Sequence, residues 1–232
     1  MHSAVSSCLV ECSLPEAFFL CRRCQRTSKT PDICDIDASS VEDAYPTTPL
    51  QEGLLSLTAK RSGDYIMQAV LDISHDVHLR SLIAAWEDTV QSIPILRTRV
   101  VQHSRLGLLQ VVCSDGIQWR RATSLDAYLA SDSSEPMDFG MNLSRFALIG
   151  DGDNDVDKAR FLVWTAHHAL FDGWSLPLIL DTVKNLYTDN QIPVSTVGFN
   201  YFVKHLVEGQ STDNSMEFWQ SYLARRDYAP FP

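Results

Sequence analysis

His167-His168-Ala169-Leu170-Phe171-Asp172-Gly173-Trp174-Ser175 is the stretch on which the reading of this chain turns. It follows Phe161-Leu-Val-Trp-Thr-Ala166, a run apolar on both faces, as expected of a strand in the middle of a sheet. Beyond it, Leu176, Ile179, Leu180, Val183 and Tyr187 recur at helical spacing and predict a helix over 176–188, with Ser175 as N-cap and Pro177 in the first turn. A side chain at the exit of a buried strand is held by a rigid scaffold yet open to a ligand. Neighbouring residues on a strand point to opposite faces, so at most one of the two histidines faces a given cleft. An imidazole can take a proton from an amine or alcohol near neutral pH. The same divergence, with no third ligand close in sequence, argues against a metal at the pair. Asp172 could reach an arginine or the loop backbone and hold the turn. Gly173 permits a tight turn or the close approach of a ligand.

Working outward, order begins near Asp43. Residues 49–60 predict a helix with Pro49 near its first turn. Tyr65, Met67, Ala69, Leu71 and Ile73 alternate on one face of a strand over 65–73. Leu79, Leu82, Ile83, Trp86 and Val90 predict an amphipathic helix over 76–91. Three short strands follow at 95–102, 108–113 and 117–122, with turn signals at Gly107 and Asp115-Gly116. A small helix over 124–131 leads to strands at 143–149 and 160–166, and helices over 197–208 and 214–226 close the chain. The pattern is α/β: a mixed sheet covered by helices.

Composition narrows the function classes. The 232 residues hold 29 acidic and 19 basic side chains, a net charge of −10, which disfavours nucleic acid and anionic membranes as partners. No run approaches the roughly 20 apolar residues of a membrane span. Five of the six cysteines (Cys8, Cys12, Cys21, Cys24 and Cys34) precede residue 35, and Glu11 and Glu16 interrupt the apolar run that a signal peptide would need. Cys21-Gln-Arg-Cys24 has the spacing of half a zinc site, but Cys8, Cys12 and Cys34 do not complete it regularly, so no metal is assigned. Residues 1–40 read as a leader or linker and 41–232 as one folded lobe, in a cytoplasmic protein.

The nine-residue string resembles the HHxxxDG signature of the superfamily that includes chloramphenicol acetyltransferase and the condensation domains of nonribosomal peptide synthetases. Its Trp-Ser ending is most similar to the condensation domains. Tyr45-Pro-Thr-Thr-Pro-Leu-Gln-Glu-Gly-Leu-Leu55 resembles their opening motif, and Ile93-Pro-Ile-Leu-Arg-Thr-Arg-Val100 their second. Phe199-Asn-Tyr-Phe-Val-Lys-His205 resembles a later block more weakly. The motifs occur in the family's order over 43–226. Where the second motif often begins Arg-His-Glu, this chain has Ser92-Ile93-Pro94.

The resemblance implies a chloramphenicol acetyltransferase-like lobe, the N-terminal half of a two-lobed domain whose C-terminal lobe lies outside this sequence. It implies that His168 faces a tunnel as general base or orients the attacking amine, and that His167 packs. Asp172 is expected to be structural and paired with Arg97, and Gly173 to lie beside a phosphopantetheine arm. The reaction implied is the joining of a carrier-bound acyl or peptidyl thioester to a carrier-bound amine, with carrier proteins and other synthetase modules as partners. No cofactor is bound directly, because the phosphopantetheine belongs to the carriers. Two alternatives are a stand-alone trimeric acyltransferase like chloramphenicol acetyltransferase and a non-catalytic lobe that binds carrier proteins. In the former the His motif lies close to the C-terminus, whereas here the chain runs on from Ser175 to Pro232.

Overall fold

The computed structural model describes residues 38–103, 106–150, 158–189, 198–209 and 212–224. The expected leader over 1–40, with its five cysteines, lies almost wholly outside the described residues. The described chain forms two units, one ending before residue 197 and one beginning there.

In the first unit a 3-10 turn (Ala38–Ser40) leads into β1 (Val41–Pro46), followed by α1 (Pro49–Lys60), β2 (Ile66–Asp72) and α2 (Leu79–Ser92). A second 3-10 turn (Pro94–Arg97) opens β3 (Thr98–His103), with β4 (Gly107–Cys113), β5 (Trp119–Ala122) and α3 (Leu125–Ser134) after it. Then come β6 (Ser144–Gly150), β7 (Ala159–His167) and α4 (Ser175–Asp189). No strand was expected before residue 49, because Glu42, Asp43 and Pro46 are poor strand formers; β1 exists because β4 supplies its hydrogen-bonding partner. Strand 95–102 is shortened at its start, where Pro94 opens the 3-10 turn instead.

The strands form two sheets. β1-β4-β3 is antiparallel, and β2-β7-β6-β5 is mixed, with β5 parallel to β6. β7 is a central strand of the mixed sheet, as its doubly apolar sequence predicts. On one face Phe146, Leu148, Leu162 and Trp164 pack with Trp86 and Val90 of α2 and Ile179 and Val183 of α4. On the other, Ala147, Ile149 and Val163 meet Leu125, Tyr128 and Leu129 of α3. The side-chain period of two along β6 and β7 thus feeds two cores.

α1 begins with a capping box: Thr48 Oγ1 accepts from the Gln51 N–H and Gln51 Oε1 accepts from the Thr48 N–H. The second unit contains α5 (Phe199–Gly209) and α6 (Thr212–Ala224). Among the described residues no helix is long and apolar enough to cross a membrane.

Candidate functional site

The site is the turn that leaves β7. Pairing of β7 with β6 on one side and β2 on the other carries the ladder to the last residue, with Ser144 opposite Ala166 and Ile66 opposite His167. His167 N–H donates to Leu143 O (3.0 Å), and one residue later His168 N–H donates to Tyr65 O (2.8 Å). The chain then turns, with Leu170 N–H donating to His167 O at 3.0 Å. Backbone groups on both sides therefore position the pair before any side chain acts.

The two imidazoles diverge as expected. His167 is 0% exposed. Ala169 N–H donates to its Nδ1 (2.9 Å), so the ring proton resides on Nε2, which faces Thr58 Oγ1 at 2.7 Å. Thr58 in turn donates its own proton toward Asp64 O (2.8 Å) or Leu54 O (3.1 Å). Burial pushes the His167 pKa down to about 4, with the neighbouring His168 contributing. His167 is therefore a neutral packing group whose hydrogen-bonding capacity is filled. His168 is exposed, its ring stacked on Phe171 with centroids 4.5 Å apart. Phe171 is itself buried against Trp164, so the outer imidazole rests on the core.

A buried amide network ties this turn to distant segments. Gln51 Nε2 donates to Ala169 O and to Gln110 Oε1, each at 2.9 Å. Gln110 Nε2 donates to Pro46 O at 3.0 Å. The α1 N-terminus, the three-stranded sheet and the His turn are thereby linked, and each amide orientation is dictated by its carbonyl partner. Gln51 lies within the Pro-Leu-Gln-Glu-Gly motif, but neither its contact nor those of Thr58 and Gln110 was legible in the sequence.

Asp172 and Arg97 are not brought together. The Asp172 carboxylate Oδ1 accepts from Ser175 N–H (2.7 Å), Ser175 Oγ (2.8 Å) and Trp174 N–H (3.1 Å). Those donors hold its pKa below the usual carboxylate range. Asp172, rather than the expected Ser175, satisfies the free N–H groups at the start of α4, and Ser175 is the first helical residue. Arg97 sits at the far end of α2, where its Nη1 donates to Glu42 (2.6 Å) and to Cys113 O. Its Nη2 donates to Gln91 O at 3.4 Å. The expected pairing fails because each group finds closer partners in its own layer. Gly173 has no positive φ, and a methyl group built on it would meet no atom within 4 Å. Nothing within the described chain demands glycine there.

A second polar cluster lies under α3. The buried Asp132 accepts from Thr165 Oγ1 (2.6 Å), Gln68 Nε2 (2.8 Å) and Arg145 Nε (2.8 Å), which binds α3 to β2, β6 and β7. A cavity of about 650 Å³ nearby is lined by Arg97, Arg99, Arg120 and Arg145, and its lining includes neither histidine. Glu42, Asp115, Asp132 and Glu135 already pair with those guanidinium groups.

Comparison with known proteins adds to this geometry. The condensation-domain family model matches residues 41–232. The chain is 44% identical over 211 residues to nonribosomal peptide synthetase 30 of Fusarium vanettenii, covering 86% of this chain and 4% of that protein. It is 45% identical over 197 residues to peramine synthetase A of Epichloe festucae, covering 85% of this chain and 7% of the synthetase. The fold matches the crystal structure of the starter condensation domain of rhizomide synthetase RzmA with a TM-score of 0.65 at 14% identity, over 82% of this chain and 49% of that one. The chain thus spans less than a tenth of these curated relatives and about half of the solved domain.

Proposed function

The chain belongs to the condensation-domain family, and on that premise we propose that it carries out condensation-type acyl transfer in nonribosomal peptide synthesis. A carrier-bound acyl or peptidyl thioester is joined to a carrier-bound acceptor amine. The observation that carries the reading is the division within the histidine pair: His167 is sealed and neutral, while His168 stands exposed, its N–H held by Tyr65 O just before β2 and that of His167 by Leu143 O just before β6.

The amine nitrogen adds to the thioester carbonyl carbon, the C–S bond breaks, and the departing thiolate takes up the proton that the nitrogen loses. His168 acts on that nitrogen, accepting its proton or orienting it for attack. Gly173, with open space around it, lies where a phosphopantetheine arm passes. Asp172 preserves the turn by capping α4. Tethering of both substrates to carriers makes the reaction nearly intramolecular and supplies much of the rate. The coverage of about half the solved domain supports assignment of this chain as one lobe of two, and the order of its motifs supports the N-terminal one. The other wall of the site then comes from a C-terminal lobe beyond this sequence. Partners are the acyl and peptidyl carrier proteins, which bring the phosphopantetheine, and the setting is cytoplasmic.

His168→Ala in the full-length protein, supplied with loaded carrier proteins, is expected to abolish bond formation. Turnover at the parental rate would remove His168 from the chemistry. A second reading, a non-catalytic carrier-binding lobe, is favoured by Trp174 (84% exposed) beside the motif. It predicts carrier binding without turnover in the parent protein.

A further inference from the structure

The turn between α1 and β2 holds two left-handed residues. Gly63, at φ +91°, is the residue type that this conformation favours. Tyr65, at φ +60°, is not: a bulky aromatic with positive φ is a conformational outlier. The apolar alternation of β2 places Tyr65 as the first strand residue, yet the strand begins one residue later, at Ile66. The conformation is held from both sides. Thr58 Oγ1 donates to Asp64 O at 2.8 Å, and His168 N–H donates to Tyr65 O at 2.8 Å. The same Thr58 anchors His167. One hydroxyl therefore links the strained turn to the histidine pair.

Tyr65 contributes little to the core in return. It is 42% exposed, and its phenol hydroxyl has no hydrogen-bond partner among the described residues. A residue that is conformationally unfavourable, poorly packed and hydrogen-bonded through its carbonyl to the exposed histidine is poorly explained by stability. Strain of this kind persists where the surroundings over-determine it, and it concentrates at functional sites.

We infer that Tyr65 is a substrate-contacting residue, whose phenol meets the acyl or aminoacyl group presented to His168 and discriminates among such groups. The inference deepens the condensation reading and rests on it. The exposed ring offers an apolar face to an acyl side chain, and its hydroxyl can donate to a carbonyl or accept from an amine.

The test uses Tyr65→Asn, Tyr65→Gly and Tyr65→Phe in the full-length protein. Asparagine and glycine accept the left-handed conformation, so melting temperatures should stay within about 2 °C of the parent or rise. Condensation, measured with a panel of acyl-loaded carriers, should fall by about tenfold or more in Tyr65→Asn and Tyr65→Gly. Tyr65→Phe should retain part of the activity with an altered preference among acyl groups. Lower melting temperatures with activity lost in proportion to unfolded protein would overturn the inference, as would unchanged turnover and preference. If the parent protein itself shows no turnover, the condensation reading has failed. Binding of acyl-pantetheine probes by calorimetry then decides the role of Tyr65: about tenfold weaker binding in Tyr65→Gly sustains the contact, and equal or undetectable binding in parent and variant overturns it.

Discussion

His167 Nε2 lies 2.7 Å from Thr58 Oγ1, at the point where β7 stops and the exposed histidine begins. The contact joins α1 to the central strand of the mixed sheet and leaves the inner imidazole no route to a proton without loss of a buried hydrogen bond.

That relationship predicts an acid sensitivity with a defined window. The folded pKa of His167, about 4, lies below the ordinary value near 6.5. As pH falls from about 6.5 toward 4, the unfolded chain binds a proton that the folded chain refuses, so stability declines. Between pH 7.5 and 4.5 the contribution is about 2–3 kcal/mol. Urea unfolding at both pH values should show the parent losing that much more than His167→Gln. Equal losses would mean that the imidazole is protonated in the native protein.

Asp172 should behave as a helix cap. Asp172→Ala is expected to cost about 1 kcal/mol, whereas Asp172→Asn, which keeps an acceptor oxygen, should cost less. Because donors lower the folded pKa of this carboxylate, its contribution is present above the usual carboxylate range and fades as pH falls through the folded value. Thermal melts at neutral pH check the order of the two variants, and a larger loss in Asp172→Asn would refute the capping role.

Arg97 and Asp172 should be energetically independent. A double-mutant cycle with Arg97→Met and Asp172→Ala should be additive within about 0.5 kcal/mol, since the two share no partner. Arg97 is instead expected to couple to Glu42. The Arg97 side chain is 6% exposed against 38% for Glu42, so the arginine is the costlier ion to leave alone. Glu42→Ala should therefore destabilise by about 2–4 kcal/mol, more than Arg97→Met does. The reverse order in chemical denaturation would contradict this geometry.

Two carboxylates of the α3 cluster should differ sharply. Asp132→Asn leaves the buried Arg145 without its close counter-charge and should cost about 3–5 kcal/mol. Glu135→Gln loosens an exposed pair with Arg120 and should cost less than about 1 kcal/mol. Denaturation midpoints compare them directly, and similar values for the two would show that the Asp132 network contributes no more than a surface pair.

The helices around Trp86 and Val183 and the central strand Ala159–His167 could be read from periodicity, and the divergence of His167 and His168 followed from strand geometry. Each signal is contained within a few consecutive residues. The misreadings share the opposite property. β1 needed β4 as a partner, and Ser175 yielded its cap role to a carboxylate three positions upstream. Arg97 found Glu42, 55 positions away, in preference to Asp172.

By itself the sequence determined the main helices and the strands of the mixed sheet, which strand is buried, and that an imidazole pair ends it. Apolar spacing, proline and glycine act through the local backbone, so their consequences need no knowledge of distant chain. Only the tertiary structure decided that Thr58 meets the buried His167 imidazole from 109 positions away, and that Gln51 tethers Ala169 across 118. It alone placed Tyr65, in a strained conformation, against the backbone of His168. Buried polar groups must be satisfied, but the requirement does not say by whom; the packing of layers chooses the partner.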